Sequence, residues 1–587
     1  MFFELDLDDR TYREIESDAV FHIPREYPEW TNYNPSDPGI TLVQLFSWLK
    51  EVQQYHLSQI SSSKRLKYLR LLGMEMEHIR PSDGAVSVEP GLNQIGTEIM
   101  LPKGTRFFAE DMAFETVEKE WIHPTKLIGA YMVQGEKLSR YHNIGNDFEK
   151  QIKLYPFGEI PKIGNQCYFV LDKALSHTFK TDIYFDIRTA YEVTRNPVDD
   201  RFIPLAKLRW EYQSKDGWEE MQVVTDDTHE LIQSGNIRFC LPKEMASDTS
   251  FGAYQIRVTL IENDYDVAPL IQNIRVNEIG VRQQYTLCDY EDYEIELSDY
   301  EDGELFFSSS HYLAKAGRIE LYLWRGEGWI LETEVKRKPG SNGDTRIFFR
   351  TPGWAEGSLK CRFLVYEEEW TDKRIVGKGD AFANQEFDLN IPDIVYDEFE
   401  IMVYDGQSGA FLPYYKVEDF DNCTPEDAAY ILDVSGQKIL FGNCENGMAP
   451  DGDIKVIRLR TSLGKSGNIK ANKIRTCEAY PELLVKQYKM TEGGRDDETQ
   501  EQCFERSRRE FRKISRGVTY SDYEELAKKT PGLLILDSRV IPPKEWERDG
   551  EELQENQISI VVQPLSYKKR NARLNDKYRQ NLSQMFE

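Results

Sequence analysis

The chain has 587 residues, of which 40% are hydrophobic and 30% charged, a composition typical of a folded soluble protein with about four domains. Its 101 acidic residues outnumber 73 basic ones and give a formal net charge of −28 at pH 7. A field of that sign repels nucleic acid and anionic membrane surfaces, so we expect neither as a partner. The excess charge serves either solubility or contact with basic partners in an assembly.

Cysteine usage and the N-terminus indicate a cellular compartment. The eight cysteines are scattered without a C-x-x-C pair, which predicts reduced thiols and no zinc or redox motif. The N-terminus becomes acidic within four residues and lacks the basic segment of a signal peptide. No apolar run approaches the roughly 18 residues of a membrane helix. We therefore expect a cytoplasmic protein, or one in a particle assembled there, without direct membrane insertion.

Residues 1–80 predict a helical segment. Asp37 can cap a helix whose first position is Pro38, and Gly73 ends a second, shorter helix. Leu42, Leu45, Phe46, Leu49 and Val52 follow at helical spacing, and Ile40, Val43 and Trp48 widen this apolar stripe. Leu45, Phe46, Trp48 and Leu49 are its predicted contact residues. This stripe must be buried, either against its own domain or against helices of other subunits.

From about residue 81 to 475, short runs rich in Val, Ile, Tyr and Phe are punctuated by Gly, Pro and Asn, which favours antiparallel sandwiches or barrels. We predict a β domain over 81–200, one or more β domains over 201–400, and a glycine-marked β region over 401–488. Residues 289–304 carry nine carboxylates and predict a solvated loop or strand edge.

The last segment, 489–587, predicts a flexible linker followed by an α+β region. The linker covers 489–503, helices follow over 504–516 and 520–529, and Thr519 offers a cap for the second. Arg508, Arg509 and Arg512 belong to the densest basic run of the chain. They form either a solvated helix face or a contact with an acidic surface of a partner. The predicted fold class is thus multidomain and mostly β, with an N-terminal α-helical hairpin and a C-terminal α+β region.

The motifs of catalysis and cofactor binding are missing from the sequence. Gly464-Lys465-Ser466 resembles the end of a phosphate loop, but Leu459 stands where the pattern needs glycine. The histidines lack metal-ligand spacing, and no G-x-S-x-G elbow is present. Asp226 and Asp227 could pair as in glycoside hydrolases, although abundant carboxylates make such pairs common by chance. We assign no catalytic, metal or cofactor residues and predict a non-enzyme.

Several separate stretches resemble one family, the baseplate-J-like wedge proteins, or putative baseplate assembly proteins, of contractile phage tails and contractile injection systems. They lie at residues 27–49, 68–73, 101–116, 156–158, 210–235, 439–469 and 515–532. The most telling is Ile439-Leu440-Phe441-Gly442 followed by Gly447, Gly452, Gly464 and Gly467. Asn443-Cys444 departs from the Asp-Gly expected there, residues 280–350 match least well, and the family is expected to continue beyond Glu587.

The resemblance implies a structural role without an active site. It implies pairing with a second baseplate-J-like wedge subunit, a small lysozyme-like-fold sheath adaptor, and a central hub or spike with its tube. It also implies that the N-terminal helices join a core bundle, and that the C-terminal region takes part in dimerisation and ring closure. Phage tail, bacteriocin-like tail and toxin injector stay open as the particle.

A second hypothesis is a β-rich carbohydrate-binding or carbohydrate-cleaving tail appendage. Trp324 and Trp329 flank two glycines, and exposed rings on such a loop could stack on sugars. Tryptophans in β-proteins are more often packed, and this hypothesis leaves the N-terminal helices without a role.

Overall fold

The structure, a computed structural model, describes residues 10–58, 62–91, 98–135, 137–138, 141–143, 152–188, 193–247, 252–296, 300–301, 304–326, 328–340, 343–350, 359–542, 557–565 and 574–586. The chain forms two compact units. The helical unit comprises Met1–Glu77 and Glu498–Lys513, and the β unit comprises His78–Asp497 and Ile514–Glu587.

Six of the seven described α-helices lie near the ends of the chain, and the short α4 lies in its middle. They are α1 (Tyr12–Glu26), α2 (Pro38–Ser58), α3 (Ser62–Leu71), α4 (Tyr312–Ala316), α5 (Gln500–Glu510), α6 (Tyr520–Lys528) and α7 (Asp576–Phe586). The predicted cap of α6 is confirmed, because the Thr519 hydroxyl accepts from the amide of Asp522.

The first half of the β unit contains seventeen of the described strands. They are β1 (Asp83–Glu89), β2 (Ile99–Leu101), β3 (Arg106–Ala109), β4 (Met112–Thr116), β5 (Glu120–Ile122), β6 (Leu127–Gln134), β7 (Lys137–Leu138), β8 (His142–Asn143), β9 (Gln166–Leu171), β10 (Thr181–Ile187), β11 (Ala206–Ser214), β12 (Gly217–Glu220), β13 (Gln222–Asp226), β14 (Gly235–Cys240), β15 (Tyr254–Asn263), β16 (Ile271–Val276) and β17 (Glu278–Arg282).

The second half continues the pattern. Its described strands are β18 (Tyr285–Ile295), β19 (Tyr300–Glu301), β20 (Glu304–Ser309), β21 (Arg318–Arg325), β22 (Gly328–Glu332), β23 (Val335–Pro339), β24 (Thr345–Phe349), β25 (Leu359–Tyr366), β26 (Ile375–Lys378), β27 (Glu386–Asp388), β28 (Glu400–Asp405), β29 (Ala410–Lys416), β30 (Ala429–Asp433), β31 (Lys438–Phe441), β32 (Asp453–Thr461), β33 (Thr476–Cys477), β34 (Leu484–Lys486), β35 (Ile535–Ile541) and β36 (Ser559–Pro564).

These strands pair into several sheets. The base sheet has the order β33-β3-β4-β17-β1-β34, and a sandwich inserted between β4 and β17 packs β13-β14-β10-β16 against β12-β11-β15-β9-β6-β7. The large sheet runs β22-β21-β25-β18-β32-β28-β29-β30-β31-β27, with β26 beside β32, and the outer sheet runs β19-β20-β24-β23. Of the described strand pairs, only β29 with β30 is parallel. The predicted multidomain, mostly β fold class is confirmed.

The C-terminal region packs on the inserted sandwich. Leu533, Ile535 and Tyr578 share a core with Phe202 and Leu205. Gly532 adopts φ 68°, and a Cβ there would lie 2.3 Å from the Phe202 ring, so a larger residue would separate the two surfaces. Part of the apolar surface of α6, α7 and their hairpin is thus covered by the chain itself.

A buried charge network joins the base sheet to the large sheet. The Asp289 carboxylate on β18 is fully buried and lies 2.6 Å from Arg460 Nη2, 3.0 Å from Lys103 Nζ, 3.1 Å from Arg458 Nε and 3.4 Å from His311 Nε2. His311 Nδ1 accepts from the Leu313 amide, so Nε2 carries the proton that faces Asp289. Burial acts to raise the pKa of Asp289, but His311 and Arg460 hold it well below its ordinary value.

Two expectations from the sequence are wrong here. Asp289, the first residue of the acidic stretch, is fully buried and its charge is compensated by basic partners, whereas residues 290–295 pair with β25. Residues 489–497 are not a flexible linker: Glu492 and Arg495 form β-bridges with Asp83 and Arg80, and Thr491 is fully buried. The predicted domain boundaries otherwise stay predictions.

Candidate assembly surface

Helix α2 begins where the sequence predicts. Asp37 Oδ2 accepts from the amides of Gly39 at 3.0 Å and Ile40 at 3.3 Å, which satisfies two of the free donors at the helix start. The Trp30 ring lies over this turn, and a Cβ on Gly39 would stand 2.2 Å from it. Gly39 therefore permits the tryptophan to pack where a side chain would block it.

The face of α2 that packs on α1 is largely polar. Gln44 Nε2 donates to Glu16 Oε1 at 2.7 Å, and Glu51 Oε1 accepts from the Tyr12 amide at 2.9 Å. Ile40 and Ser47 are the buried residues of the helix in its described side chains. Positions 40, 44, 47 and 51 follow helical spacing, so one continuous face is used for this contact.

The opposite face is apolar and exposed. The predicted interface residues are Leu45, Phe46, Trp48 and Leu49, whose side chains are 47%, 64%, 52% and 38% exposed. Leu42, 54% exposed, extends the same face; helical spacing placed it in the predicted apolar stripe, but it was not among the predicted contact residues. Together with Val52, the leucines 42, 45 and 49 alternate steps of three and four, the spacing of a coiled-coil seam. Helix α2 therefore places its polar side inward and its apolar side outward.

Helix α5 belongs to the same unit, although nearly the whole chain separates it from α2. It begins at Gln500, four residues before the predicted start, because the Thr499 and Gln502 side chains form a capping box. It ends at Glu510, so Arg512 lies beyond the helix and the expected range 504–516 is wrong. Its inner side buries Cys503 and Ser507, and Arg506 bonds both oxygens of Glu498 at 2.9 and 2.8 Å. Burial acts to raise the pKa of Glu498, but Arg506 holds it below its ordinary value.

The outer side of α5 carries the predicted basic residues. Arg508, Arg509 and Arg512 are exposed, and Phe511 beside them is 57% exposed. Phe511 was not predicted, since a single aromatic residue in a basic run gives no periodic signal. The structure thus brings both predicted interface segments into the helical unit, one apolar and one cationic.

Asp226, one of the two carboxylates considered for catalysis, caps a turn. Asp226 accepts from the amides of Thr228 at 2.9 Å and Glu230 at 2.8 Å, and so caps a turn in which residues 229–231 have φ of 48°, 66° and 63°. Non-glycine residues in this left-handed region are strained, and the cap holds them. Neighbouring Glu230 is partly buried, and burial with the charge of Asp226 raises its pKa to about 7.

The tryptophans that motivated the carbohydrate hypothesis are packed against each other. Their ring centroids lie 5.1 Å apart at 70°, Trp329 is 7% exposed, and the Arg362 guanidinium covers it at 4.5 Å. Trp329 therefore contributes to a core and does not offer a free ring face to a sugar.

A cleft of about 750 Å³ lies beside the start of β18. Its lining is mainly apolar and aromatic, including Tyr285, Trp370, Leu389 and Ile391, with Asp111, Lys373, Asp388 and Asp393 also present.

Within the described residues, no group of three or more His, Cys, Asp or Glu is arranged to hold a metal. In the same part of the chain, no helix is both long and apolar enough to cross a membrane.

Comparison with known proteins finds similarity to a solved structure. No known family matches the chain, and no curated protein sequence matches it. Among solved structures, the chain is similar to a chain in the cryo-EM structure of the anti-feeding prophage (AFP) baseplate, 6-fold symmetrised, with 14% identity and a TM-score of 0.14. The match covers 45% of this chain and 48% of that chain, so it spans about half the length of the relative.

Proposed function

We propose that the chain is a structural wedge subunit of a contractile-tail baseplate, and that its helical unit is the surface through which it joins other subunits. The observation that carries the proposal is that helix α2 exposes its apolar face and packs its polar face on α1. Soluble proteins rarely leave a contiguous apolar stripe exposed, and such stripes mark contact sites. The stripe stands on a helix whose other side is already bonded to α1.

The occupant of this stripe is a helix from another subunit. Leucines at alternating three- and four-residue steps match knobs-into-holes packing between helices, and Phe46 and Trp48 broaden the contact. The sequence resemblance to baseplate-J-like proteins supports the same assignment, because their N-terminal helices contribute to a core bundle.

The cationic side of α5 provides a second, weaker contact. Opposite potentials orient and speed docking more than they tighten it, so we assign Arg508, Arg509 and Arg512 to the approach of an acidic partner surface. The resemblance gives the partners of the particle: a second wedge subunit, a sheath adaptor, and the hub with its tube. The role needs no catalytic residue, metal or cofactor.

The decisive experiment places Leu49→Asp in the gene of the producing organism. A charge in an apolar seam costs several kcal/mol, so we expect folded subunits that no longer enter assembled particles, measured by particle yield and subunit content. Ser17→Asp is the matched control, since it adds the same charge to an exposed polar position of α1, the helix that packs on the other side of α2. Normal particles from Leu49→Asp would contradict the proposal, as would wild-type particles that lack this chain.

A second experiment tests the non-enzymatic role. The purified full chain is incubated with nucleotides, glycans and peptidoglycan, and we expect no turnover. Turnover that disappears with a single carboxylate substitution would show that the chain is an enzyme.

A further inference from the structure

The cleft beside the start of β18 has room for side chains of another molecule. Its volume of about 750 Å³ lies within the range of about 300–1,000 Å³ that is typical of ligand sites. Ile375 and Leu463 line it and are 44% and 45% exposed, and Tyr285 and Trp370 in the same lining are partly buried. The cleft therefore offers apolar and aromatic surface to a partner.

The charged side chains of the cleft are mainly acidic. Its lining contains three carboxylates, Asp111, Asp388 and Asp393, and one cation, Lys373, so three negative charges and one positive charge give a net charge of −2. All four residues are exposed. Among the residues that the structure describes, none forms a salt bridge with any of the three carboxylates. Such a cleft favours an apolar group that is accompanied by cations.

The residues next to the lining in sequence do not reverse this sign. The basic ones are Arg282, Arg374 and Arg460, and each is bonded to a carboxylate outside the lining. Two of the acidic ones, Glu369 and Asp372, are exposed. The surroundings of the cleft therefore keep its negative charge.

The end of α5 and the turn after it have the complementary character. Residues 508–513 hold four cations and one anion, a net charge of +3. The anion, Glu510, is bonded to Lys513 at 2.5 Å, whereas the three arginines of this segment form no salt bridge within the described part of the chain. Phe511 stands among them and is 57% exposed. Glu505, the nearest other carboxylate of the helix, precedes the segment.

We infer that Phe511 of a second copy of the chain inserts into this cleft, while the arginines beside it meet the three carboxylates of the lining. Aromatic residues and arginines are the side chains that most often anchor protein contacts in pockets, and the two surfaces carry opposite net charges. The inference rests on the cationic contact proposed above for α5 and names its partner. Because the contact joins two different patches, it is heterologous and builds closed rings or open chains of subunits.

Sedimentation velocity of the full chain tests the inference with two variants. Phe511→Glu removes the inserted ring, and Leu463→Arg places a bulky cation in the cleft. Both positions are exposed, so circular dichroism should match the wild type. We expect the wild type to associate with increasing concentration, and each variant to weaken this association at least about thirtyfold, the effect of losing an anchoring residue.

Mixing the two variants gives the sharpest result. Phe511→Glu keeps an intact cleft and Leu463→Arg keeps an intact Phe511, so a 1:1 mixture should form a dimer and nothing larger. Recovery of one contact in the mixture would exclude misfolding as the cause of the loss, since a misfolded chain would not offer its remaining surface. A mixture that stays monomeric would overturn the inference.

Two controls carry the same substitutions elsewhere. Val518→Glu and Leu484→Arg change apolar side chains that are 76% and 58% exposed and lie outside the cleft lining, so association should be retained. Equal loss in the controls would overturn the inference, as would a wild-type chain that stays monomeric up to about 100 μM. If particle assembly still needed Arg508, Arg509 and Arg512 in that last case, the proposed role of α5 would stand and only its assignment to a second copy would fail.

Discussion

Helix α2 and strand β18 reverse what their compositions predict. The helix is among the most apolar segments of the chain, yet Phe46 and Trp48 are more than half exposed. The strand carries four carboxylates in eleven residues, yet it lies inside the large sheet and buries Asp289 completely. Burial in this chain follows the availability of a partner more closely than it follows hydropathy.

Strand β18 and helix α2 differ in the contacts that the rest of the chain provides for their side chains. Asp289 faces three cationic side chains and a histidine N–H within 3.4 Å, so its desolvation is offset by several charge-assisted bonds. Within the described residues, the stripe of α2 has no comparable cover. Substitutions in β18, whose partners belong to the same chain, should change the stability of the folded chain. Substitutions in the α2 stripe should mainly change assembly with other subunits.

The largest effect on folding is expected for Asp289→Asn. The change leaves Arg458, Arg460 and Lys103 without their shared anion, and breaking a buried pair in this way costs about 3–5 kcal/mol. Urea unfolding of the isolated chain measures it. Asp292→Asn on the same strand is the control, because its carboxylate is 49% exposed and should lose about 1 kcal/mol or less.

The pH dependence of unfolding tests the same prediction for Asp289. The pKa of Asp289 is below its ordinary value in the folded chain, so its contribution is present above the unfolded pKa and is lost as pH falls towards the folded one. The difference between wild type and Asp289→Asn should therefore shrink below about pH 4. A difference that stays constant through that range would show that the anion is not the cause.

Much of the fold could be predicted from sequence, because local signals determine it. The caps at Asp37 and Thr519 are satisfied within a few residues, and antiparallel strands follow from alternation and turns. The burial of β18 could not be predicted, since Arg458 and Arg460 reach Asp289 from a strand about 170 positions away. The order of residues 489–497 was missed for the same reason, because their partners are near residue 80.

The candidate surface was predictable in its residues but not in its geometry. Helical spacing selects Leu45 and Leu49, but it does not show that the other face of α2 binds α1 through Gln44 and Glu51. The shared location of α2 and α5 in one unit also depends on contacts across the length of the chain.

Glu230 offers an intermediate case, a carboxylate that is partly buried with fewer donors than Asp289. Its pKa is raised to about 7 by burial and by Asp226, so the folded chain binds a proton more tightly than the unfolded chain. The wild type should lose stability as pH rises from about 4.5 to about 7. Glu230→Gln keeps an acceptor for the Leu208 amide and should be more stable by about 1–3 kcal/mol above pH 7.

Thermal unfolding across pH measures this effect. The two proteins should converge below about pH 4.5, where Glu230 is neutral in both states. Glu262→Gln serves as control, because Lys577 lowers the pKa of this more exposed carboxylate and its removal should not stabilise the chain. Parallel pH curves for wild type and Glu230→Gln would contradict the assignment.

Charge reversal at Arg508, Arg509 and Arg512 should change folding by less than about 0.5 kcal/mol, because all three are exposed. If these residues meet an acidic partner, the triple variant should block wedge pairing or ring closure and leave folded single subunits. Co-purification with the other particle proteins, followed by size analysis, measures this. Complete rings at physiological salt would show that the basic side of α5 is only a solvated face.

A small effect on folding is expected for Leu49→Asp in the isolated chain, and this variant is the most direct test of the outward-facing apolar side of α2. Leu49 is 38% exposed on the outer side of α2, whereas Ile40 on the inner side is 2% exposed. Leu49→Asp should therefore lower the free energy of unfolding by only about 1 kcal/mol, from helix propensity and partial burial, while Ile40→Asp buries an unpaired charge and should cost several kcal/mol. Native-state hydrogen exchange within α2 reports the stability of the helical unit separately from that of the β unit. If Leu49→Asp instead destabilises α2 as strongly as Ile40→Asp, the chain itself covers the apolar face and α2 is not available to a partner.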